Sequence, residues 1–347
     1  MTAGNYLVLS PLDGRWLHFV ASTREADIFY HPGWSGMLAE CYGYRPLVLS
    51  LVDIGGEIIA GLPLMEVDKL LTGRRVVALP FSDFCRPLLR DATCVGQMAD
   101  AIQTWRRQFG WPQVEVRWPL PSGPDAYVGE VFFRHITQLD PDPEQVFARF
   151  KKTRVQQCIR QAVKAGVVVA QAQTWEDVQV YYDLHVRTRK RLGVPAQPIR
   201  LFRLLWERLL SKGFGFVLLA YTDSKAVAGA VFLNWNQVLT YKFSASDPAH
   251  WPSRPNHALL WHAIRWGCEN DYRWFDWGKT DLDDTGLRAF KTGWGTEERE
   301  LSYTVLADGQ PRARSSARGR AILAPFIKHW PLWVNRLVGG LLYGHFA

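Results

Sequence analysis

Lysine and aspartate side chains stand close to the end of an apolar segment that begins at Trp274. The pattern predicts a strand that ends at Asp276 and Gly278, then a polar loop, then a short helical turn that carries Phe290 and Lys291. Open α/β sheets build binding sites beyond the ends of their strands. At such a place the Lys291 ammonium could stabilise the oxyanion that forms when an amine attacks an ester or a thioester.

Each of these residues also has a structural interpretation. Lys291 could be a surface lysine at a helix start. Asp276 could orient Lys291 or the attacking amine, accept a proton, or cap the loop that follows it. Gly278 would let the backbone approach a ligand or another strand. The loop aspartates lack the register and the terminal glutamate of a calcium loop, so no metal site is predicted at Asp281, Asp283 and Asp284.

A basic cluster closes a predicted helix further upstream. Arg191 ends this cluster, which also contains Arg187, Arg189 and Lys190. These side chains could complement the helix dipole, or they could form a fork for a phosphate on the donor or the acceptor. Lys152 and Arg154 could bind the same anion.

A loop between Pro80 and Pro87 supplies a third group of candidates. Asp83 could bind the acceptor amine, and Arg86 could shape the acceptor pocket, because functional side chains are concentrated on loops. The alternative is a tight structural turn. Cys85 has no evident base beside it, and we expect a buried thiol without a catalytic role.

The composition restricts the class of protein. The chain has 347 residues with a net charge of +8, which favours anionic partners such as phosphates, nucleic acid or an acidic membrane surface. Its five cysteines form no CxxC pair, so we expect free thiols, no zinc and a reducing cytoplasm. The sequence predicts neither a signal peptide nor a helix that spans a membrane.

The order of predicted elements is similar in the two halves of the chain. A hairpin is predicted at Leu47 to Met65 and again at Phe216 to Trp235, and each is followed by a further strand, a helix and a strand. The Ala60-Gly61 and Ala228-Gly229 pairs occupy equivalent places, which indicates a weak internal duplication. Helices are predicted between the halves, one begun by Asp142-Pro143 and one by a capping box at Thr174 to Asp177.

Several motifs resemble the FemAB-related proteins of the GNAT superfamily, and together they cover roughly residues 30 to 305. The strongest is Phe275 to Gly278 followed by Gly286 to Lys291 and Trp294-Gly295. Others are Phe150 to Arg154, Ile159 to Gly166, Thr188 to Gly193 and Leu79 to Leu88.

This resemblance implies an α/β, tandem GNAT-like acyl-CoA N-acyltransferase fold with two mixed β-sheets flanked by helices. It implies domains at 1–140 and 141–308, with a basic and then amphipathic tail at 309–347. It also implies that Lys291 serves catalysis, that Phe290 positions Lys291, and that Arg191 is the preferred anion-binding residue of its cluster, and Asp276 is the second catalytic candidate from its own position. No permanent cofactor is expected. The donor would be acyl-CoA or an aminoacyl-tRNA, although the common GNAT pyrophosphate loop is not visible.

The tail mixes apolar, aromatic and basic residues from Ala321 to Ala347, downstream of Arg312, Arg314, Arg318 and Arg320. This mixture favours peripheral contact with the inner face of a membrane, and the alternative is a segment that docks onto the body. A membrane contact would suit a lipid-linked amine acceptor.

Three functions remain open from the sequence. The preferred one is an N-acyltransferase that acts on an amine of a cell-envelope, peptidoglycan or polysaccharide precursor without a covalent enzyme intermediate. The second is a non-catalytic GNAT-like module that binds an anionic lipid or a partner. The third is an RNA-binding protein, although no RNA-binding motif is present.

Overall fold

A computed structural model describes residues 6–69, 72–311 and 324–345. These residues form two compact units, the first from Met1–Phe132 with Glu300–Ala313 and the second from Phe133–Arg299 with Arg314–Phe346. The basic residues from Arg312 to Arg320 lie outside the described residues. The predicted ranges 1–140, 141–308 and 309–347 remain a prediction about domains, and the compact units begin and end at other residues.

The first unit is a mixed sheet with three helices. Its strand order is β1-β2-β3-β4-β6-β13, and the short strand β5 pairs with β3. The strands β4 and β6 are parallel, and the other neighbours whose register is defined are antiparallel. The strands are β1 Tyr6–Leu9, β2 Arg45–Val52, β3 Ile58–Lys69, β4 Gly73–Val77, β5 Leu88–Leu89 and β6 Gln113–Val116, with part of β7 Ala126–Gln138 and of β13 Glu297–Ala307. The helices are α1 Gly14–Ser22, α2 Pro32–Tyr42 and α3 Val95–Gln108.

The second unit has the strand order β7-β12-β11-β10-β9-β8, with β11 and β12 parallel. The remaining parts of β7 and β13 belong to this unit. Its other strands are β8 Val168–Gln171, β9 Gly215–Thr222, β10 Lys225–Trp235, β11 Val238–Ser246 and β12 Trp274–Asp281. Its helices are α4 Pro143–Ala148, α5 Gln157–Lys164, α6 Trp175–Arg191, α7 Ile199–Arg208, α8 Pro255–Glu269, α9 Thr285–Thr292, α10 at 324–329 and α11 Leu332–Leu342.

The helix starts predicted from capping residues are confirmed. The Asp142 side chain accepts from the N–H of Glu144 at the start of α4. At α6 the Thr174 side chain and the Asp177 carboxylate each accept from the other residue's backbone N–H, as the capping box requires. Both caps act locally, which explains why a short sequence pattern was enough to identify them.

The two Ala-Gly pairs have the same packing role in their own units. A Cβ on Gly61 would lie 2.5 Å from the Trp16 ring of α1, and a Cβ on Gly229 would lie 2.8 Å from the Tyr181 ring of α6. In each unit the glycine of the hairpin's second strand therefore lets a helix place an aromatic ring against the sheet. This shared packing fits the predicted duplication better than the Ala-Gly match alone.

The described part of the tail packs on α6 within the second unit. The Asn335 Oδ1 atom accepts a hydrogen bond of 2.8 Å from the N–H of Ala196, and Arg336 pairs with Asp183. A Cβ on Gly339 would lie only 1.8 Å from the Ala196 carbonyl oxygen. One face of α11 thus docks onto the body, as the alternative interpretation of the tail stated.

Candidate active site

The strand β12 carries the predicted catalytic aspartate in its interior. The prediction that this strand ends at Asp276 and Gly278 is wrong, because β12 continues to Asp281. Its parallel register with β11 runs from Val238↔Trp274 to Thr240↔Asp276, and both strands continue past this point. Asp276 therefore lies where the pairing of two parallel strands ends.

Asp276 is buried and held by two partners. Its Oδ2 atom accepts hydrogen bonds from Arg134 at 2.6 Å (Nη2) and 3.2 Å (Nε). Its Oδ1 atom accepts from the backbone N–H of Gly278 at 2.8 Å. Gly278 has a φ of 69°, a conformation that glycine adopts without strain. The Asp276 carboxylate thus fixes both the backbone turn at Gly278 and the Arg134 side chain.

Lys291 is buried in the last turn of α9, with 3% of its surface exposed. The interpretation of Lys291 as a surface lysine is therefore wrong. Its Nζ atom donates to the carbonyl oxygens of Gly278, at 3.2 Å, and Lys279, at 2.9 Å. Gly278 thus bonds to Asp276 through its N–H and to Lys291 through its carbonyl, which brings the two predicted catalytic residues to one short stretch of β12.

A second polar network lies beside Lys291 and was not predicted. The His135 Nε2 atom is 2.9 Å from Glu298 Oε2, and its Nδ1 atom is 3.4 Å from Thr280 Oγ1. Arg288 binds Glu298 through two hydrogen bonds of 2.6 and 2.7 Å, and these bonds lower the pKa of the Glu298 carboxyl. Burial lowers the pKa of His135, and the nearby charge of Lys291 lowers it further.

These contacts define the roles in the network. A neutral His135 donates its Nε2–H to the Glu298 carboxylate, which leaves Nδ1 to accept from the Thr280 hydroxyl. Both His135 and Arg134 come from β7, a strand that the sequence analysis did not identify. The aromatic and β-branched residues Val131, Phe132, Phe133, Ile136 and Thr137, which favour strands, are the signal that could have revealed it.

Aromatic rings pack around the helix that carries Lys291. The Phe290 ring lies 5.6 Å from His257, 6.1 Å from Trp294 and 6.5 Å from Trp277, measured between ring centroids. Burial lowers the pKa of His257 to about 4, so this ring is a neutral member of the cluster at pH 7. The packing fixes α9 against the core and thereby limits the positions that Lys291 can adopt.

One known family matches the part of the chain that carries Lys291. The family profile described as an acetyltransferase (GNAT) domain matches residues 149–292. Residues 149–292 are therefore similar to a GNAT domain. The matched range contains Asp276, Gly278, Phe290 and Lys291, whereas Arg134, His135 and Glu298 come from outside it.

Solved structures extend the likeness over most of the chain. The crystal structure of FemX superposes with a TM-score of 0.66 at 14% identity and covers 86% of this chain and 96% of its own. A tandem GNAT protein from the clavulanic acid biosynthesis pathway gives 0.52 at 15% identity, covering 88% and 99%. L-PGS from Bacillus licheniformis gives 0.54 at 12% identity, covering 93% and 98%. A search of curated proteins finds no match.

These findings confirm the resemblance to FemAB-related proteins of the GNAT superfamily and the α/β, tandem GNAT-like fold. At such low identities the superpositions establish the fold alone. The roles of individual residues in the GNAT domain must therefore be argued from its own geometry.

The predicted anion-binding residues of the GNAT domain lie around the segment that leads into α8. The Arg191 guanidinium lies 4.9 Å from the Trp251 ring centroid, and His257 hydrogen-bonds to the backbone of Arg154. Lys152 and Arg154 share one exposed π-helical turn, Lys152–Gln156. No side chain caps the start of α8, where Pro255 has no N–H and the N–H of His257 bonds to the carbonyl oxygen of Arg254.

The loop residues Asp83 and Arg86 belong to the first unit. The Asp83 carbonyl accepts from the Tyr303 hydroxyl, and the Arg86 carbonyl accepts from the Tyr30 hydroxyl at 2.6 Å. These backbone bonds show a firmly held turn, while the Arg86 guanidinium is 3.7 Å from Glu25. Burial raises the pKa of the Cys85 thiol, which disfavours the thiolate that a nucleophile needs. A role of Asp83 and Arg86 in substrate binding remains a prediction.

Within the described ranges, no group of three or more His, Cys, Asp or Glu side chains could hold a metal ion. The same residues include no helix with both the length and the apolar composition of a membrane crossing.

Proposed function

We propose that this protein is an N-acyltransferase that moves an acyl or aminoacyl group to an amine of a cell-envelope or polysaccharide precursor. The observation that carries the proposal is the buried Lys291 ammonium, bonded to the Gly278 carbonyl close to where the pairing of β11 and β12 ends. A fixed cation in a GNAT domain is suited to a reaction in which negative charge develops on a carbonyl oxygen.

The reaction forms an amide bond and breaks an ester or thioester bond. The acceptor amine attacks the donor carbonyl, the carbonyl oxygen becomes an oxyanion, and Lys291 stabilises that charge. Asp276 orients the attacking amine through its carboxylate while Arg134 keeps the carboxylate in place. Collapse of the intermediate expels the donor's alkoxide or thiolate, which takes up the proton that the amine loses, so no covalent enzyme intermediate is needed.

The remaining predicted residues bind the substrates. Arg191, Arg154 and Lys152 bind phosphate groups of the donor or the acceptor near the start of α8, because arginine forks match phosphate oxygens. Phe290 positions Lys291, and Gly278 allows a close approach of the backbone. We also assign Asp83 and Arg86 to substrate binding.

The donor is acyl-CoA or an aminoacyl-tRNA, and each presents phosphates to the basic residues. A match to a GNAT domain is compatible with acyl-CoA as the donor. The likeness to FemX and L-PGS is our reason to consider an aminoacyl donor and a cell-wall or lipid-linked acceptor. No permanently bound cofactor is required. We place the enzyme in the cytoplasm, at the inner face of the membrane, where lipid-linked amines would be accessible.

Transfer assays on the full chain test this proposal. Acetyl-CoA, palmitoyl-CoA and tRNAs charged with alanine, glycine or lysine are each offered with amino sugars, peptidoglycan precursors or aminophospholipids, and products are identified by mass. We expect transfer from one donor class and a rise in melting temperature with that donor. If no donor is used or bound, while an anionic lipid does stabilise the chain, the non-catalytic binding module is the correct interpretation.

A further inference from the structure

The helix α11 has two faces of opposite character. One face is fixed to α6 by the Arg336–Asp183 ion pair, and to the segment after α6 by the Asn335 amide and the close approach of Gly339, both at Ala196. Gly193, just after α6, contacts α10 similarly, because a Cβ there would lie 2.9 Å from the Cβ of Ala324. The docking contacts therefore determine which side of this segment is turned outward.

The outward side of α11 is apolar. Trp333, Leu337 and Leu341 are 66%, 57% and 69% exposed, and their spacing of four residues places them on one helix face. Phe326 of α10 is 61% exposed. We call Trp333, Leu337 and Leu341 the tail face. Single exposed apolar residues are common on protein surfaces, but a row on a helix whose other side is docked indicates a binding surface.

Basic residues close to the tail face in sequence favour an anionic partner. Lys328 and His329 are exposed in the same segment, and the sequence places Arg312, Arg314, Arg318 and Arg320 shortly before it. The whole chain carries a net charge of +8. A second copy of the chain would bring the same positive charges together, whereas anionic lipid headgroups would neutralise them.

The dimensions of α11 fit a helix that lies along a bilayer. Eleven residues span about 16 Å, roughly half of the hydrocarbon thickness. A short helix with an apolar face, a tryptophan and nearby cations has the features of an interfacial element.

We propose that the tail face inserts into the headgroup region of a bilayer that contains anionic lipids and holds the second unit at its surface. This inference deepens the proposed function by naming the surface that meets the membrane. It rests on the proposed function only for its biological purpose, since lipid binding can be measured without any transfer reaction.

Vesicle flotation of the full chain tests the proposal. The vesicles contain phosphatidylcholine alone or with about one third phosphatidylglycerol, and we expect binding to the anionic vesicles that weakens as the salt concentration rises. Replacement of Trp333, Leu337 and Leu341 by serine should reduce the partition constant about tenfold or more. The control variant carries Leu12→Ser and Ile54→Ser at exposed apolar positions of the first unit and should bind like the parent chain.

Three results would overturn the inference. They are equal binding to neutral and anionic vesicles, unchanged binding of the triple variant, and a dimer of the parent chain that the triple variant abolishes. The melting temperature of each variant shows that it is folded. If the chain transfers acyl groups but does not float with vesicles, the proposed function holds and the membrane surface is wrong. If the chain floats but transfers nothing, the membrane surface holds and the proposed function is wrong.

Discussion

Lys291 donates from its ammonium to the carbonyl oxygen of Gly278, whose own N–H donates to Asp276. One glycine backbone thus connects the only cation and the only carboxylate that the sequence nominated for catalysis. Gly278 has a φ of 69°, and in this conformation its N–H and its carbonyl reach two side chains. A residue with a side chain would adopt this backbone conformation only with strain. The relative position of Asp276 and Lys291 is consequently set by backbone hydrogen bonds.

Replacement of Lys291 by methionine should abolish most transfer activity while the chain still folds. Loss of one oxyanion donor reduces the rate about 10² to 10³-fold. The carbonyls of Gly278 and Lys279 lose a donor, so the free energy of unfolding should fall by about 1–3 kcal/mol. The measurement compares single-turnover rates and urea denaturation of K291M with those of the exposed-site control Lys212→Met. Equal rates for the two variants would remove Lys291 from the mechanism.

The Arg134–Asp276 pair should contribute strongly to stability. Asp276→Asn keeps an acceptor for the Gly278 N–H but removes the carboxylate charge beside the Arg134 guanidinium, at a cost of about 3 kcal/mol. Arg134→Met combined with Asp276→Asn should cost less than the two single changes together, with a coupling free energy of about 1–3 kcal/mol. Denaturation curves of the four proteins give this cycle directly.

A surface ion pair provides the matched control for that cycle. Arg203 and Glu207 form an i,i+4 pair at 2.6 Å, and both side chains are about half exposed. Glu207→Gln should change the free energy of unfolding by about 0.5 kcal/mol or less. If Asp276→Asn is equally mild, the buried pair is not a structural element and its carboxylate is available as a base.

Local patterns predicted much of this fold, and long-range pairing explains what they missed. The hairpins at Leu47 to Met65 and Phe216 to Trp235, and the capping box of α6, depend on residues close together in the chain. The strands β7 and β13 carry charged residues within the sheet, and Glu298 of β13 is satisfied there by His135 and Arg288. His135 is distant from Glu298 in sequence, so the sequence analysis identified neither strand.

Long-range pairing also explains why β12 is longer than predicted and why Arg134 and His135 were not predicted as part of the site. Gly278, Lys279 and Asp281 are poor strand formers, and the sequence alone placed a loop there. The neighbouring strand β7 nevertheless pairs with β12 and also supplies Arg134 and His135. The nominated residues Asp276 and Lys291 were brought together, while the residues that orient them became visible only in the folded chain.

Stability should fall as the pH decreases from 7 to 5. Burial lowers the pKa of His185 to about 3 and that of His257 to about 4, below the ordinary value of 6.5. In this window the unfolded chain binds protons that the folded chain does not, so acid favours unfolding. Each of these histidines should reduce the free energy of unfolding by about 2 kcal/mol at pH 5.

Urea denaturation at a series of pH values checks this slope. His185→Gln should flatten the dependence by close to one proton between pH 6 and 5 relative to the parent chain. The comparison uses the slope rather than the absolute stability, because His185 also hydrogen-bonds to Gln197 at 2.7 Å and its replacement has a cost at every pH. A flat profile for the parent chain would show that these imidazoles are protonated in the folded state.

Two adjacent glycines of α11 should respond in opposite ways to alanine. A Cβ at Gly339 would overlap the Ala196 carbonyl oxygen, whereas a Cβ at Gly340 meets nothing within 4 Å. Gly340→Ala should stabilise the helix by up to about 1 kcal/mol, because alanine loses less backbone entropy than glycine. Gly339→Ala has the same helix preference but must displace α11 from Ala196, which also breaks the Asn335 hydrogen bond. Limited proteolysis within 324–345 and thermal melting distinguish the variants, and equal behaviour of the pair would mean that α11 does not dock on α6 in solution.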